Sequence, residues 1–408
     1  MATITPFRAL RPEPSLAGQV ASRPYDVLNS SEARQEAAGN PASFLHITKS
    51  EIDLAEDIDS HSQQVYDKAK ENLQSFLQKH ILLQEEKPSY YIYRLVMNGR
   101  SQTGLVAVSS VDDYEKDIIR KHELTRPDKE ADRINHMKTI GAQTGNVFLA
   151  YKNVEAIDAL IENWKSAHAP VYDFVADDGI SHTIWVVDAD DTIQAISRLF
   201  ATEVPFTYIA DGHHRAASAA KVRKALGPGA SEASAHFLTT LFPSAELHIL
   251  DYNRLVKDLN GASSEEFLDS LQKDFLVGRV EHAFSPAQLH EFGLYLEGGW
   301  YKLVAKDGTY TTDPIGILDV TILQKNILDR MLGIKDPRTD KRIDFVGGIR
   351  GLAELEKRVD SGEMRAAFSL YPVSIQQLFD IADSGQVMPP KSTWFEPKLR
   401  DGLLTHAF

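Results

Sequence analysis

The most constraining feature of the sequence is an apolar run that meets a helix-forming run through a turn of charged residues. Residues 206–210 predict a strand, and the small and apolar residues of 214–226 predict a helix. Gly212 permits the tight turn between them. Because a helix N-terminus exposes unpaired N–H groups and a partial positive charge, the turn predicts a seat for a phosphate group.

The side chains of this turn have complementary chemistry. Arg215 can clamp an oxyanion through two parallel N–H donors, and His213 and His214 can bind or protonate a phosphate oxygen. Asp211 can accept a proton from a substrate hydroxyl or hold Mg²⁺. The structural alternative is that Asp211 caps the helix while the histidines bond to backbone. The density of polar groups at a strand-to-helix turn favours a functional site.

A second polar cluster lies around residues 121–133. His122, Glu123 and Thr125 follow one predicted helix, while Lys129 and Arg133 share a face of the next at i, i+4 spacing. Glu123 is a candidate general base, and Lys129 and Arg133 are candidates for binding an anion. A solvated helix with salt bridges explains the same spacing equally well.

Two proline-stiffened segments near the ends of the chain carry polar residues. Lys391, Ser392, Thr393 and Lys398 lie among two aromatic residues in a loop that could close over an anionic substrate. A plain surface loop is the other interpretation. Residues 23–27, near the N-terminus, are rigid and polar and ambiguous by themselves.

Composition narrows the class of protein. The 408 residues carry a net charge of −14 and include no cysteine, which excludes disulfides, thiolate metal sites and cysteine nucleophiles. The acidic balance disfavours nucleic acid as a partner. No apolar stretch approaches the roughly 20 residues of a membrane helix, so we expect a soluble, cytoplasmic enzyme. Adjacent histidines diverge and rarely chelate one ion, so no zinc is expected.

Periodicity predicts a mixed α/β (α+β) fold. Asn98-Gly99 joins two β-rich runs, 90–97 and 101–109, and predicts a type I′ hairpin. Helices are predicted over about 60–80, 112–122 and 128–142. We place a division near residue 200, which gives an N-terminal α/β domain (1–200) and a C-terminal α/β domain (201–408).

Five motifs together resemble a bacterial and archaeal family of unknown function, the one numbered 1015. The resemblance spans essentially the whole chain in the same order. The residues that carry it are Pro24 to Val27, Asn40 to His46, His122 to Thr125 with Asp132 and Arg133, Ala210 to Arg215, and Met388 to Thr393.

The Asp-Gly-His-His-Arg core is also similar to the phosphate-binding motif of the ParB and sulfiredoxin superfamily, which includes free serine kinases. This resemblance implies a ParB/sulfiredoxin-like core that seats a nucleotide phosphate on Gly212 to Arg215. It also implies one shared pocket with Tyr25, Asp26 and the other motifs. His213 replaces the cysteine that sulfiredoxin chemistry needs.

The resulting hypothesis is phosphoryl transfer between a nucleotide (ATP or ADP, with Mg²⁺ on Asp211) and a small hydroxylated metabolite, with serine and phosphoserine favoured. Asp211 or Glu123 would accept the hydroxyl proton. Lys129, Arg133, Lys391 and Lys398 would hold the substrate. The alternatives are a phosphoserine-type phosphatase that needs no nucleotide, and a nucleotide-binding regulator of the ParB type. A homodimer is compatible with the sequence, which does not determine the oligomeric state.

Overall fold

The computed structural model of the chain describes residues 1–125 and 127–408. The chain forms two compact units: the first consists of residues 1–121, 125–247 and 397–408, and the second of residues 122–124 and 248–396. The predicted division near residue 200 is wrong, because strands on both sides of that residue pair in one sheet.

The described strands, in chain order, are β1 (Ile4–Thr5), β2 (Leu10–Pro12), β3 (Leu82–Gln84), β4 (Tyr90–Met97), β5 (Arg100–Ser110), β6 (Ile119–Arg120), β7 (Ala142–Gln143), β8 (Val147–Tyr151), β9 (Tyr172–Val175), β10 (Ser181–Val187), β11 (Thr207–Asp211), β12 (His236–Pro243), β13 (Ile249–Leu250), β14 (Tyr252–Val256), β15 (Phe275–Val280), β16 (Glu291–Leu296), β17 (Gly299–Ala305), β18 (Ile343–Gly347), β19 (Ala366–Leu370), β20 (Trp394–Phe395) and β21 (His406–Ala407).

The described α-helices are α1 (Ala17–Val20), α2 (Ser30–Ala37), α3 (Leu45–Thr48), α4 (Gln63–Gln78), α5 (Val111–Glu115), α6 (Pro127–Ile140), α7 (Glu155–Ala167), α8 (Asp190–Glu203), α9 (His213–Leu226), α10 (Ser264–Leu271), α11 (Asp319–Leu323), α12 (Leu352–Asp360) and α13 (Ile375–Asp383). The predicted α+β class is confirmed. Among the helices of the described ranges, none has the length and apolar character that a membrane span requires.

A mixed sheet forms the centre of the first unit. Nine of the described strands join it in the order β6-β11-β8-β12-β5-β4-β10-β9, with β1 on β5. The predicted hairpin is confirmed as β4 and β5: Asn98 (φ 52°) and Gly99 (φ 78°) both have the positive φ of a type I′ turn. β8 runs antiparallel to β11 and parallel to β12, so its first residues lie beside the end of β11. This pairing positions the site described below.

The predicted helix over 112–122 is wrong after residue 115. α5 ends at Glu115, and Asp117 takes a left-handed conformation (φ 55°) that a continuing helix cannot accept. The chain then extends as β6, which pairs in parallel with β11.

The second unit is built on an antiparallel sheet. Six of the described strands form it in the order β15-β17-β16-β19-β14-β18. One face packs against α12, where Leu355 lies among Leu255, Val346 and Ala367. Burial of these apolar side chains is the main stabilising term of that face.

The contact between β5 and β12 can be tested at Gly104. A Cβ atom at this position would lie 2.8 Å from the ring of Phe242 and 2.8 Å from Cγ2 of Thr240. We expect Gly104→Ala to lower the free energy of unfolding by about 1–3 kcal/mol, measured by urea denaturation. Gly229→Ala is the matched control, because no described atom lies within 4 Å of its new Cβ. Equal stability of the two variants would contradict this packing.

Candidate functional site

The turn after β11 has the strand–turn–helix form that the sequence predicts. β11 ends at Asp211, α9 begins at His213, and Gly212 between them is left-handed (φ 99°, ψ 30°). A Cβ atom on Gly212 would lie 3.2 Å from the guanidinium carbon of Arg215. Glycine is therefore required here both for the backbone conformation and for the close approach of Arg215.

Arg215 is a buried cation at the centre of this site, with 7% of its surface exposed. Nη1 donates to the backbone carbonyl of Asn146, and Nη2 lies 3.5 Å from the Oδ2 atoms of both Asp26 and Asp211. Burial alone would lower the pKa of Arg215, but the two carboxylates raise it above its ordinary value. Among the described residues, Nε has no hydrogen-bond partner.

Lys398 adds a second cation to the turn. Its Nζ atom donates to Oδ2 of Asp211 over 3.1 Å, and both side chains are partly buried. The Asp211 carboxylate is therefore flanked by the charges of Lys398 and Arg215. Lys398 reaches this place because residues 397–408 return to the first unit.

Arg133 adds a third cation through the ring of Tyr25. Its guanidinium carbon lies 3.9 Å from the Tyr25 ring centroid, a cation–π contact. Nε and Nη2 donate to Oδ2 of Asp132 over 2.9 and 2.6 Å, and Tyr66 donates to the other oxygen. Nη1 is buried without a partner in the described part of the chain. Burial raises the pKa of the Tyr25 hydroxyl, and the charges of Arg133 and Arg215 oppose that shift.

The sequence analysis missed two residues of this cluster, Asn146 and Asp401. Asp401 is 2% exposed, and it accepts a hydrogen bond from the backbone N–H of Tyr25. Burial raises the pKa of Asp401 to about 7, although Arg215 opposes the shift. Neither residue belongs to a periodic run or a motif, so no local signal could have identified it.

The two histidines of the turn have different surroundings. His213 is buried, whereas His214 is half-buried and its charge acts on Glu130. Burial alone would raise the pKa of Glu130, but hydrogen bonds from Lys221 and Thr125 hold it below its ordinary value. Lys129, on the same helix as Glu130, is exposed. Thr125 therefore hydrogen-bonds to Glu130, a carboxylate that was not predicted as part of the site.

Five predicted site residues belong to the second unit: His122, Glu123, Lys391, Ser392 and Thr393. His122 is buried, and its backbone carbonyl accepts from the N–H of Met388 over 2.8 Å. The Ser392 hydroxyl donates to the carbonyl of Pro389 over 2.6 Å. Lys391 is exposed and has a left-handed backbone (φ 58°). The structure joins the segment around His122 to the Met388–Thr393 loop.

Asp26 and Asp211 have the oxygen ligands that Mg²⁺ prefers. Within residues 1–125 and 127–408, no group of three or more histidine, aspartate or glutamate side chains is arranged to hold a metal. Asp26 and Asp211 both lie at one guanidinium, and each is partly exposed. Mg²⁺ in phosphoryl-transfer sites is usually held by one or two carboxylates together with substrate phosphates.

Comparison with known proteins identifies a family and weakly similar structures. A family model described as "Protein of unknown function (DUF1015)" matches residues 4–321. A search of the curated proteins finds no match.

Three solved structures illustrate the structural likeness. A free serine kinase in complex with AMP is 13% identical, with 74% of this chain and 92% of that chain covered and a TM-score of 0.37. A conserved hypothetical protein from Pyrococcus furiosus is 14% identical, with coverage of 74% and 94% and a TM-score of 0.37. SbnI from Staphylococcus aureus, truncated at its C-terminus, is 10% identical, with coverage of 72% and 85% and a TM-score of 0.32. The function has to be argued from the site itself.

Asp401 predicts a pH dependence of stability. Its pKa is about 7 when folded and near 3.8 when unfolded, so the folded state binds the proton more tightly. The free energy of unfolding that this group contributes is largest at low pH and falls as pH rises towards 7. We expect the free energy of unfolding of Asp401→Asn to increase relative to that of the natural protein as the pH rises from 5 to 8, by up to about 3 kcal/mol over this range. Urea denaturation across this range measures the difference; a difference that does not change with pH would contradict the assignment.

Proposed function

Because the chain belongs to the DUF1015 family, whose description states no function, we propose a function from the geometry of the site: transfer of a phosphoryl group between a nucleotide and a small hydroxylated metabolite. Serine and phosphoserine are the first pair to test, since the Asp-Gly-His-His-Arg motif resembles that of free serine kinases. The site for this chemistry is the cluster around Arg215 in the first unit.

The observation that carries the proposal is a pair of buried arginines with unused donors. Arg133 and Arg215 both act on Tyr25, and Nη1 of the first and Nε of the second have no hydrogen-bond partner in the described chain. A buried donor without an acceptor costs free energy, typically about 1–3 kcal/mol. A bound phosphate would supply acceptor oxygens for both groups. Lys398 and the N-terminus of α9 add positive charge at the same place.

The arrangement suits phosphoryl transfer because that reaction needs positioning and charge neutralisation. The oxygen of the acceptor hydroxyl forms a bond to phosphorus, and the bond from phosphorus to the bridging oxygen of the nucleotide breaks. Asp211 accepts the hydroxyl proton, and the nucleotide leaves with the electron pair of the broken bond. Arg215, Arg133 and Lys398 neutralise the charge of the phosphoryl oxygens. If Asp211 instead holds Mg²⁺, Glu123 is the base, and the ion would supply further neutralisation.

The other predicted residues keep proposed roles. Glu123 is the alternative base, and His213 and His214 are donors to the phosphoryl group. The remaining proposed binding residues are Gly212, His122, Thr125, Lys129, Tyr25, Asp26, Lys391, Ser392 and Thr393.

Phosphorus NMR of the purified protein tests the proposal. The mixtures contain Mg²⁺ with ATP or ADP plus L-serine, and, separately, phosphoserine alone. We expect nucleotide-dependent formation of phosphoserine. We expect Arg215→Lys to reduce the rate by about 100-fold or more, because lysine keeps the charge but loses the planar fork of donors. Asp211→Asn should reduce transfer by about 10²- to 10⁴-fold while nucleotide binding persists.

Lys224→Ala is the matched control, because Lys224 is an exposed cation near the C-terminal end of the same helix. Its rate should equal that of the natural protein. Phosphate release from phosphoserine alone would replace the proposal with a phosphatase. Nucleotide binding without turnover in any mixture would overturn it in favour of a regulator.

A further inference from the structure

A second arginine of unusual character lies in the second unit. Arg254 is at the middle of β14, between β18 and β19, and 2% of its surface is exposed. Nη1 donates to the carbonyl of Tyr252, and Nη2 lies 3.4 Å from the carbonyl of Pro390. Within the described residues, no carboxylate is found among the groups that act on the charge of Arg254. In the described part of the chain, the contacts of this buried charge are thus two neutral carbonyls and the ring of Phe345, whose centroid lies 5.4 Å from the guanidinium carbon.

Such an arrangement is costly unless an anion completes it. An uncompensated buried ion loses its hydration and recovers little from neutral carbonyls, so buried charges are normally paired with an opposite charge. The pKa of Arg254 reflects this cost, because burial lowers it to about 10 and Tyr252 offsets the shift only in part. Arg215 in the first unit, by contrast, has carboxylates at 3.5 Å that raise its pKa.

The loop that contacts Arg254 presents further groups suited to an anion. Lys391 follows Pro390 directly, and its side chain is exposed on a left-handed backbone, a conformation that costs free energy for a residue other than glycine. The Ser392 hydroxyl is used within the loop, on the carbonyl of Pro389. Residues 390 and 391 form a turn that ties the N–H of Ser392 back to the Pro389 carbonyl, whereas in the described chain the N–H of Thr393 donates to no backbone or side-chain acceptor. A free N–H close to a left-handed residue can contribute to an anion-binding concavity.

We propose that Arg254 and the loop Pro389–Thr393 form a binding site for a phosphate group, either free phosphate or the phosphate of a nucleotide. The phosphate accepts from Nη2 of Arg254, whose present contact with Pro390 is long, and from the N–H group of Thr393. Lys391 supplies the second positive charge. This site is built from the second unit alone. Lys391 and Thr393 are also among the binding residues of the proposed function, but phosphate binding here requires no transfer of a phosphoryl group.

Trp394 offers a probe beside this loop. It follows Thr393, and its ring packs against Gly347, where a Cβ atom would lie 2.6 Å from the indole. The chain has 4 tryptophans, so the full-length protein labelled with 5-fluorotryptophan gives few fluorine resonances. Trp394→Phe assigns the relevant one, and Trp164 and Trp185 in the first unit serve as internal references.

Titration with inorganic phosphate, pyrophosphate and ADP tests the site. We expect a saturable shift of the Trp394 resonance. Lys391→Gln should weaken the apparent affinity by about threefold to tenfold, and Arg254→Met by about tenfold or more. Lys335→Gln is the matched control, since Lys335 is an exposed lysine of the same unit. The affinity of this variant for the three anions should equal that of the natural protein. Saturation by ADP but not by free phosphate or pyrophosphate would assign the site to a nucleotide phosphate.

A second readout separates binding from a structural role of Arg254. Methionine removes a buried unpaired charge, so without phosphate Arg254→Met should unfold in urea at the same or a higher concentration than the natural protein. If this variant does not fold, the Lys391→Gln titration decides. The proposal is overturned if none of the three anions shifts the Trp394 resonance, or if the shift persists unchanged in Arg254→Met or Lys391→Gln. None of these measurements involves turnover, so their failure is distinguishable from failure of the transfer reaction: it would remove the loop from the proposed binding residues, while the chemistry at Arg215 is tested separately by phosphorus NMR.

Discussion

The candidate site of the first unit depends on the burial of one guanidinium group. A charge that is removed from water must find partners, and Arg215 finds them in three separate parts of the chain: Asp26, the carbonyl of Asn146, and Asp211. The antiparallel pairing of β8 with β11 brings two of these together. Gly145 and Gly212 leave space for the side chain, since a Cβ atom on either would lie 3.1 or 3.2 Å from it. The two glycines, the strand pairing and the carboxylates are thus all required for the burial of the Arg215 guanidinium group.

The sequence predicts those features that local interactions determine. The turn around Gly212 follows from an apolar run, a glycine and a helix-forming run in immediate succession. The hairpin of β4 and β5 follows from Asn98-Gly99, because few other pairs accept two positive φ angles. In both cases the residues that fix the conformation are neighbours in the chain. The side-chain chemistry of the turn could therefore be read before the fold was known.

The parts that could not be predicted are set by distant contacts. Asp401 has no motif around it, and its raised pKa arises only when folding buries it near Asp26. The second sheet was missed for a similar reason: every residue of β16 is buried, so the strand shows no alternation of polar and apolar side chains. The predicted helix over 112–122 fails at Asp117, whose left-handed backbone allows the chain to reach the edge of the sheet at β6. Tertiary pairing overrides local preference at each of these positions.

The two buried arginines differ in what a phosphate must displace. At Arg215 an incoming phosphate competes with Asp26 and Asp211, so it gains little unless those carboxylates find another cation. In the proposed transfer reaction, a magnesium ion bound to the nucleotide would be such a cation. At Arg254, by the second proposal, a phosphate would displace only neutral carbonyls of the described chain, so its binding would require no metal. Under the two proposals, the same type of side chain would serve metal-dependent chemistry in one unit and metal-free anion binding in the other.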